Sequence, residues 1–196
     1  MKKLVSLLLT AGLSVSLLAG CGSQGSSNND SANAEAGTET AGASVYRTLD
    51  EIKDSGKITI GVFSDKNPFG YVDENGDYQG YDVYFADRLA KDLGVDVEYV
   101  STEPASRVEY LKTGKVDLIL ANFTVTEERA ESVDFCLPYM KVALGVVSPD
   151  DALITSADEL NGKTLIVAKG TTAEAYFSEN YPEVNLLKFD QYADAY

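Results

Sequence analysis

The feature that most constrains this chain is an alternation of short apolar runs with capped amphipathic stretches along residues 45–196. Thr48-Leu49-Asp50-Glu51 is a capping box that opens a short helix Gly56 can end. Ile58, Ile60 and Val62 then alternate with Thr59 and Gly61 as a strand requires. Asp82 is placed to cap a helix whose Ala86, Leu89, Ala90 and Leu93 share one face, with Gly94 as its stop. Val95, Val97 and Tyr99 make the next strand. Pro104 starts a further helix with Ala105, Val108 and Leu111 on one face, and Leu118-Ile119-Leu120 reads as a fully buried strand. The order β-α-β-α-β implies an α/β fold, a parallel sheet with helices on its faces. Such sheets place ligand crevices at the carboxyl ends of their strands.

A second round follows. Val142 to Val147 is apolar enough for a crossing strand, Ser156-Ala157-Asp158-Glu159 repeats the capping box, and Leu165-Ile166-Val167 reads as a strand. Gly170-Thr171-Thr172 turns into a helix through Tyr176, and Leu186-Leu187 begins another strand. So few strands leave an open sheet edge, so this round reads as unfinished.

The first 44 residues read as something other than fold. Met1 to Ala19 has a basic start, Lys2 and Lys3, then an apolar run from Leu4 to Ala19 shorter than the roughly 20 residues that span a bilayer. Residues 1–20 are therefore expected to be a signal peptide, and Leu18-Ala19-Gly20-Cys21 resembles the bacterial lipobox, whose cysteine is acylated. Residues 21–44, made of Ser, Gly, Asn, Ala, Thr and a few acids, can bury nothing and read as a flexible tether. With Cys21 acylated, Cys136 has no disulfide partner, and its apolar neighbours suggest a buried small hydrophobe.

Charge removes several function classes. The chain has 16 Lys+Arg against 31 Asp+Glu, a net charge of -15, and no His. Phosphate recognition by a basic surface is excluded, so no nucleic-acid partner is expected. Mechanisms that need imidazole as base or metal ligand are excluded too. Asp73-Glu74-Asn75-Gly76-Asp77 looks like a calcium loop, but its twelfth position is Tyr84, so an Asn-Gly hairpin turn is the better reading. Tyr81, Tyr84 and Phe85 flank an amphipathic helix and read as core. No metal or cofactor is expected.

One stretch can carry binding chemistry. In Ala121-Asn122-Phe123-Thr124-Val125-Thr126-Glu127-Glu128-Arg129, Thr126 can cap a helix whose first turn holds Arg129. Backbone N–H groups, the Thr124 hydroxyl and a guanidinium then suit a carboxylate. A capped surface helix with Arg129 paired to a neighbouring acid fits the same spacing. Gly170-Thr171-Thr172 repeats the arrangement, and it too reads equally as a simple N-cap.

At these residues the sequence resembles the extracellular solute-binding proteins of amino-acid ABC importers, the polar amino-acid group called family 3. The matching stretches are Pro68-Phe69, Gly70 to Gly94, Leu111 to Phe135, Pro138-Tyr139, Asp158 to Leu165 and Lys169 to Phe177. The resemblance implies a type II periplasmic-binding-protein fold of two lobes, residues 45–141 the first and 142–196 part of the second. It implies that Arg129 clamps a ligand α-carboxylate, helped by Thr124 and by Thr171 or Thr172, while Asn122 offers a carbonyl to the ammonium. Arg107 corresponds either to an arginine facing the ligand side chain or to a solvated helix residue. Phe69 and Lys66 fall where pocket-wall residues stand, though core and surface roles fit them as well. Two stretches look most like cysteine-binding lipoproteins, so cysteine ranks first as ligand and acidic amino acids or glutamine next.

The implied partners are a free amino acid, ABC permease subunits and the bilayer, reached through acylated Cys21 on the extracytoplasmic face of the cell membrane. The implied role is binding rather than catalysis, with a cyclohexadienyl-dehydratase-like enzyme or a sensor domain as the alternatives. Full-length members continue further, so the chain is expected to be a fragment lacking the aspartate that meets the ligand ammonium.

Overall fold

Local capping decides where the first helix starts. In the computed structural model, which describes residues 46–195, the Thr48 hydroxyl accepts the Glu51 N–H at 3.2 Å while the Glu51 carboxylate takes the Thr48 N–H at 2.7 Å. Helix α1 (Leu49–Ser55) begins on that box and ends at Gly56 in the left-handed region. The expected signal peptide, Cys21 and the tether lie outside the described residues, as do Val45 and Tyr196.

The chain continues through β1 (Lys57–Val62), β2 (Asp65–Lys66), β3 (Gly70–Val72), β4 (Tyr78–Gln79), α2 (Tyr81–Leu93), β5 (Asp96–Ser101), α3 (Arg107–Lys112) and β6 (Leu118–Ile119). After these come α4 (Glu127–Ala130), β7 (Thr164–Ala168), α5 (Thr172–Asn180) and β8 (Asn185–Phe189). Strands β5, β1 and β6 form a parallel sheet in that order, with Ile58 opposite Val97 and Ile60 opposite Leu118. The alternation places Ile58, Ile60 and Val62 against Val83, Ala86 and Ala90 of α2. Each of the isoleucines and valines among them contributes about 1.5–3 kcal/mol through burial. Phe63, Val116, Ile119 and Ala121 form a second cluster. The Asn75-Gly76 turn joins β3 to β4, and with β2 these build a small antiparallel sheet that the periodicity did not announce. Asp73 closes the turn by accepting the Asn75 and Asp77 N–H groups at 2.9 and 3.0 Å.

The later round is thinner. Strands β7 and β8 pair in parallel around α5, over a core of Leu160, Phe177 and Val184. Among the described residues no helix is long and apolar enough to cross a membrane.

Several expectations are corrected. Gly80, at φ 123°, precedes α2 as its N-cap, and Asp82 is a buried residue of the first turn. The strand at residues 118–120 is only two residues long, and only Ile119 in it is buried, because β6 lies at the sheet edge. Residues 142–147 form no strand and pair with none of the described strands, and Leu144 and Val147 are exposed. The Ser156 box is replaced by a 3-10 turn in which Glu159 reaches back to the Thr155 hydroxyl at 2.6 Å. Cys136 is exposed, because the segment around it packs on no sheet. Tyr81 and Tyr84 are exposed as well, whereas Phe85 packs against Tyr81 and Tyr139.

Candidate functional site

The site grows from the carboxyl end of β6, where the chain must turn out of the sheet. Asn122 makes that turn at φ +46°, unusual for a non-glycine residue. A buried carboxylate holds it there: Asp82 accepts the Asn122 N–H at 3.0 Å and the Tyr139 hydroxyl at 2.8 Å. Burial pushes the Asp82 carboxyl up to about 6, opposed by those two hydrogen bonds. The same desolvation, with Asp82 beside it, raises the Tyr139 hydroxyl far above its ordinary value.

The Asn122 side chain then fixes a cation. Lys66 Nζ donates to Asn122 Oδ1 at 2.8 Å and to the Tyr192 hydroxyl at 3.0 Å, and lies 5.2 Å from the centre of the Phe69 ring. Burial, and after it the charge of Arg107, lowers the Lys66 ammonium to about 8.

Two guanidiniums stand beyond it. Arg107 is 3% exposed and donates to the carbonyls of Pro104, Ala121 and Gly170 at 2.9, 3.1 and 3.0 Å. It is not the solvated helix residue that its sequence context allowed. Burial first, and the neighbouring Arg129 second, lower it to about 10. Arg129 is half-buried and donates to the Thr124 carbonyl at 2.7 Å and to the Gly170 carbonyl at 3.0 Å. The Phe123 ring lies 4.5 Å from one guanidinium and 4.8 Å from the other, a cation–π arrangement that fixes both. Burial lowers the Arg129 guanidinium too.

The Gly170 carbonyl therefore accepts from both arginines. Glycine is required here, because φ is +70° and a Cβ would come 2.5 Å from the Ala105 Cα. The hydroxyl of Thr171 is committed to its own turn, donating to the Ala168 carbonyl at 2.7 Å and accepting the Glu174 N–H at 3.1 Å. The Glu174 carboxylate takes the Gly170 N–H at 2.6 Å and pairs with Lys188 at 2.8 Å. Partial burial pushes that carboxyl up, but Lys188 and the Gly170 N–H outweigh it and hold it low.

All eight residues expected at the site line one cavity of about 970 Å³. Lys66, Phe69, Asn122 and Arg107 stand with Thr124 and Arg129, and Thr171 and Thr172 belong to the turn that carries Gly170. Two details differ from expectation. The helix behind Arg129 is a single turn of four residues, so the guanidinium rather than a helix terminus supplies the positive charge. The Asn122 carbonyl lies 3.4 Å from an Arg107 nitrogen, so a cation already faces it. Sequence reasoning missed Asp82, Phe123, Tyr139, Tyr192 and the Gly170 carbonyl. A signal for Asp82 existed, since Asp82, Ala86 and Ala90 recur every four residues on one helical face.

Residues 58–185 match the bacterial extracellular solute-binding proteins of family 3. The chain belongs to this family. It is similar to the glutamine-binding protein of Geobacillus stearothermophilus, 36% identical over 197 residues that cover 98% of this chain and 74% of the relative. Among solved structures, the L-cysteine solute receptor of Neisseria gonorrhoeae is 61% identical with a TM-score of 0.74, covering 76% of this chain and 62% of that one. The cysteine-binding protein of Campylobacter jejuni is 59% identical with a TM-score of 0.73, covering 75% and 60%. The aligned part thus spans about three fifths of each structure. The mixed α/β fold is that of the type II periplasmic binding proteins, and these relatives are named as binding proteins, not enzymes.

Proposed function

We propose that this family 3 protein receives a free polar amino acid for an ABC importer, held by acylated Cys21 at the extracytoplasmic face of the cell membrane. Cysteine is the favoured ligand, with acidic amino acids or glutamine next. The observation that carries the reading is Arg129, half-buried in the cavity wall, with a neutral carbonyl of Gly170 in front of its fork. A carboxylate is the stronger partner, since charge-assisted bonds are about twice as strong as neutral ones. In this mechanism the α-carboxylate replaces the Gly170 carbonyl on Arg129, while Phe123 and Thr124 keep the guanidinium aimed. Residues 45–141 and 142–196 act as the two lobes whose facing turns, at Thr124 and at Thr171-Thr172, enclose the ligand. Arg107 braces the floor through main-chain carbonyls. Similarity to two cysteine-binding proteins supports the ligand ranking, and Leu18-Ala19-Gly20-Cys21 supports the anchor.

Titration calorimetry against the amino acids, on the protein as it is produced in its host, tests the reading. Saturable micromolar binding, about 8 kcal/mol, is expected for cysteine or an acidic amino acid. Heats indistinguishable from dilution for every amino acid would overturn it.

A further inference from the structure

The carboxylate of Asp82 stands one step outside the cavity. It is fully buried, and it is not among the described residues that line the cavity wall. The clamp at Arg129 makes no use of it. A buried acid is unfavourable unless its oxygens are engaged, and here two separate segments engage them. Oδ2 accepts the Asn122 N–H at 3.0 Å and Oδ1 accepts the Tyr139 hydroxyl at 2.8 Å. The same two segments meet again where Asn122 Nδ2 donates to Met140 Sδ at 3.2 Å. Asp82, Asn122, Met140 and Tyr139 therefore close a ring that ties the first turn of α2, the turn after β6 and residues 139–140 to one another.

Both arms of the ring end in the cavity wall. Along one arm, Asn122 is held at φ +46°, a conformation that disfavours a residue with a Cβ. In that conformation its N–H meets Asp82, while the Ala121 and Asn122 carbonyls face an Arg107 nitrogen at 3.1 and 3.4 Å. Its side-chain oxygen takes Lys66 Nζ at 2.8 Å. Along the other arm, the Tyr139 ring packs on Phe85 at 5.0 Å and stacks on Tyr81 at 6.1 Å, and the Tyr81 hydroxyl donates to the Tyr139 carbonyl at 3.3 Å. The cavity-lining run that starts at Met140 thus has a fixed root. We propose that Asp82 is a positioning residue for amino-acid binding, which sets the Asn122 backbone and the Tyr139 root and, through them, two walls of the cavity. A carboxylate suits this task because it accepts at both oxygens and brings no donor of its own. The inference rests on the amino-acid-binding reading above. Charge acts in the opposite direction: Asp82 attracts Lys66 and Arg107, so its removal alone would leave more of their field for an anionic ligand. Weaker binding without Asp82 therefore reports geometry.

The test titrates L-cysteine, L-glutamate, L-aspartate and L-glutamine into the full chain as its host produces it. The variants are Asp82→Ala and Asp82→Asn, each also combined with Asn122→Gly, and Kd per binding-competent molecule is read beside the melting temperature. Asp82→Ala is expected to weaken the tightest of these ligands about tenfold or more. Asp82→Asn keeps the shape and one acceptor oxygen, and recovers part of the loss. Glycine takes the left-handed conformation without being held there, so in the Asn122→Gly background the same Asp82 substitution weakens binding by less than about threefold. A merely structural role lowers the melting temperature and the fraction that binds, and leaves Kd as it is. A Kd within about twofold of wild type in Asp82→Ala, or in Asp82→Asn if the alanine variant does not fold, overturns the inference. An equal loss in the Asn122→Gly background overturns it too; if that background binds nothing, the Kd values of the single variants decide. No binding of any of the four by the wild type overturns the inference together with the amino-acid-binding reading.

Discussion

The turn after β6 and the turn after β7 are built alike, and they end with opposite electrostatics. Thr126 caps α4 and Thr171 caps α5, each hydroxyl accepting the N–H of the third helical residue, at 3.3 Å from Arg129 and 3.1 Å from Glu174. The identity of that third residue separates them. Glu174 folds back onto the Gly170 N–H, so the second turn supplies its own anion and closes on itself. Arg129 extends away from its cap and holds its fork in the cavity wall. On the proposed reading, the same capping geometry leaves a place for an external carboxylate only where the helix does not bring one. The second turn offers the opposite group, a carbonyl, and that carbonyl meets both arginines.

The contrast is sharpest in a pair of truncations. Arg129→Ala is expected to weaken amino-acid binding by about 100-fold or more, the loss of two charge-assisted bonds of about 1.5–3 kcal/mol each. Glu174→Ala, on a residue outside the cavity lining, is expected to lower thermal stability by about 1 kcal/mol and to leave affinity within about threefold. Calorimetry and thermal denaturation read the two separately, and an equal loss of affinity would break the comparison.

The next effect is on the shared carbonyl. Gly170→Ala forces a Cβ into the Ala105 backbone at a left-handed φ, so it should destabilise the protein by about 2 kcal/mol or more. Urea denaturation checks this; an unchanged midpoint would show that the turn packs elsewhere.

A pH-dependent effect concerns the floor beneath Asn122. The folded Asp82 carboxyl titrates near 6, above the unfolded value of about 3.9. The folded state therefore holds the extra proton between those values, and stability from this group falls as pH rises through 6. Glu51, Asp73, Glu159 and Glu174, held low, change stability in the opposite sense. The informative quantity is the difference between wild type and Asp82→Asn in melting temperature across about pH 4 to 6, the range those two pKa values bracket. Wild type should gain relative to the variant as pH falls; a constant difference would mean that Asp82 is better solvated than its burial indicates.

How much was legible follows from the range of the interactions. The helix of residues 49–55, the alternation from Ile58 to Val62 and the caps Thr126 and Thr171 were readable because partners lie within four residues or on a fixed period. Asp82 was misplaced as a cap because a carboxylate before an amphipathic run fits two local roles, and Gly80 fills the one expected of it. Arg107 was similarly ambiguous. Pro104, Arg107, Val108 and Leu111 fall on one face, but a buried arginine is credible only when carbonyls from other elements reach it, as those of Ala121 and Gly170 do. The segment at 142–147 carried strand-forming residues but pairs with no strand, and propensity alone does not decide pairing.

By itself the sequence determined the alternation of the parallel strands with helices, the capped turns at Thr126 and Thr171 and the presence of Arg129 at a strand-to-helix turn, because these follow from torsional preferences and periodicity along neighbouring residues. Tertiary structure alone decided that Lys66 meets Tyr192, that Gly170 sits between two guanidiniums and that Asp82 is shut away from water. Those arrangements depend on residues far apart in the chain and on the low dielectric that packing creates, and no local rule encodes either one.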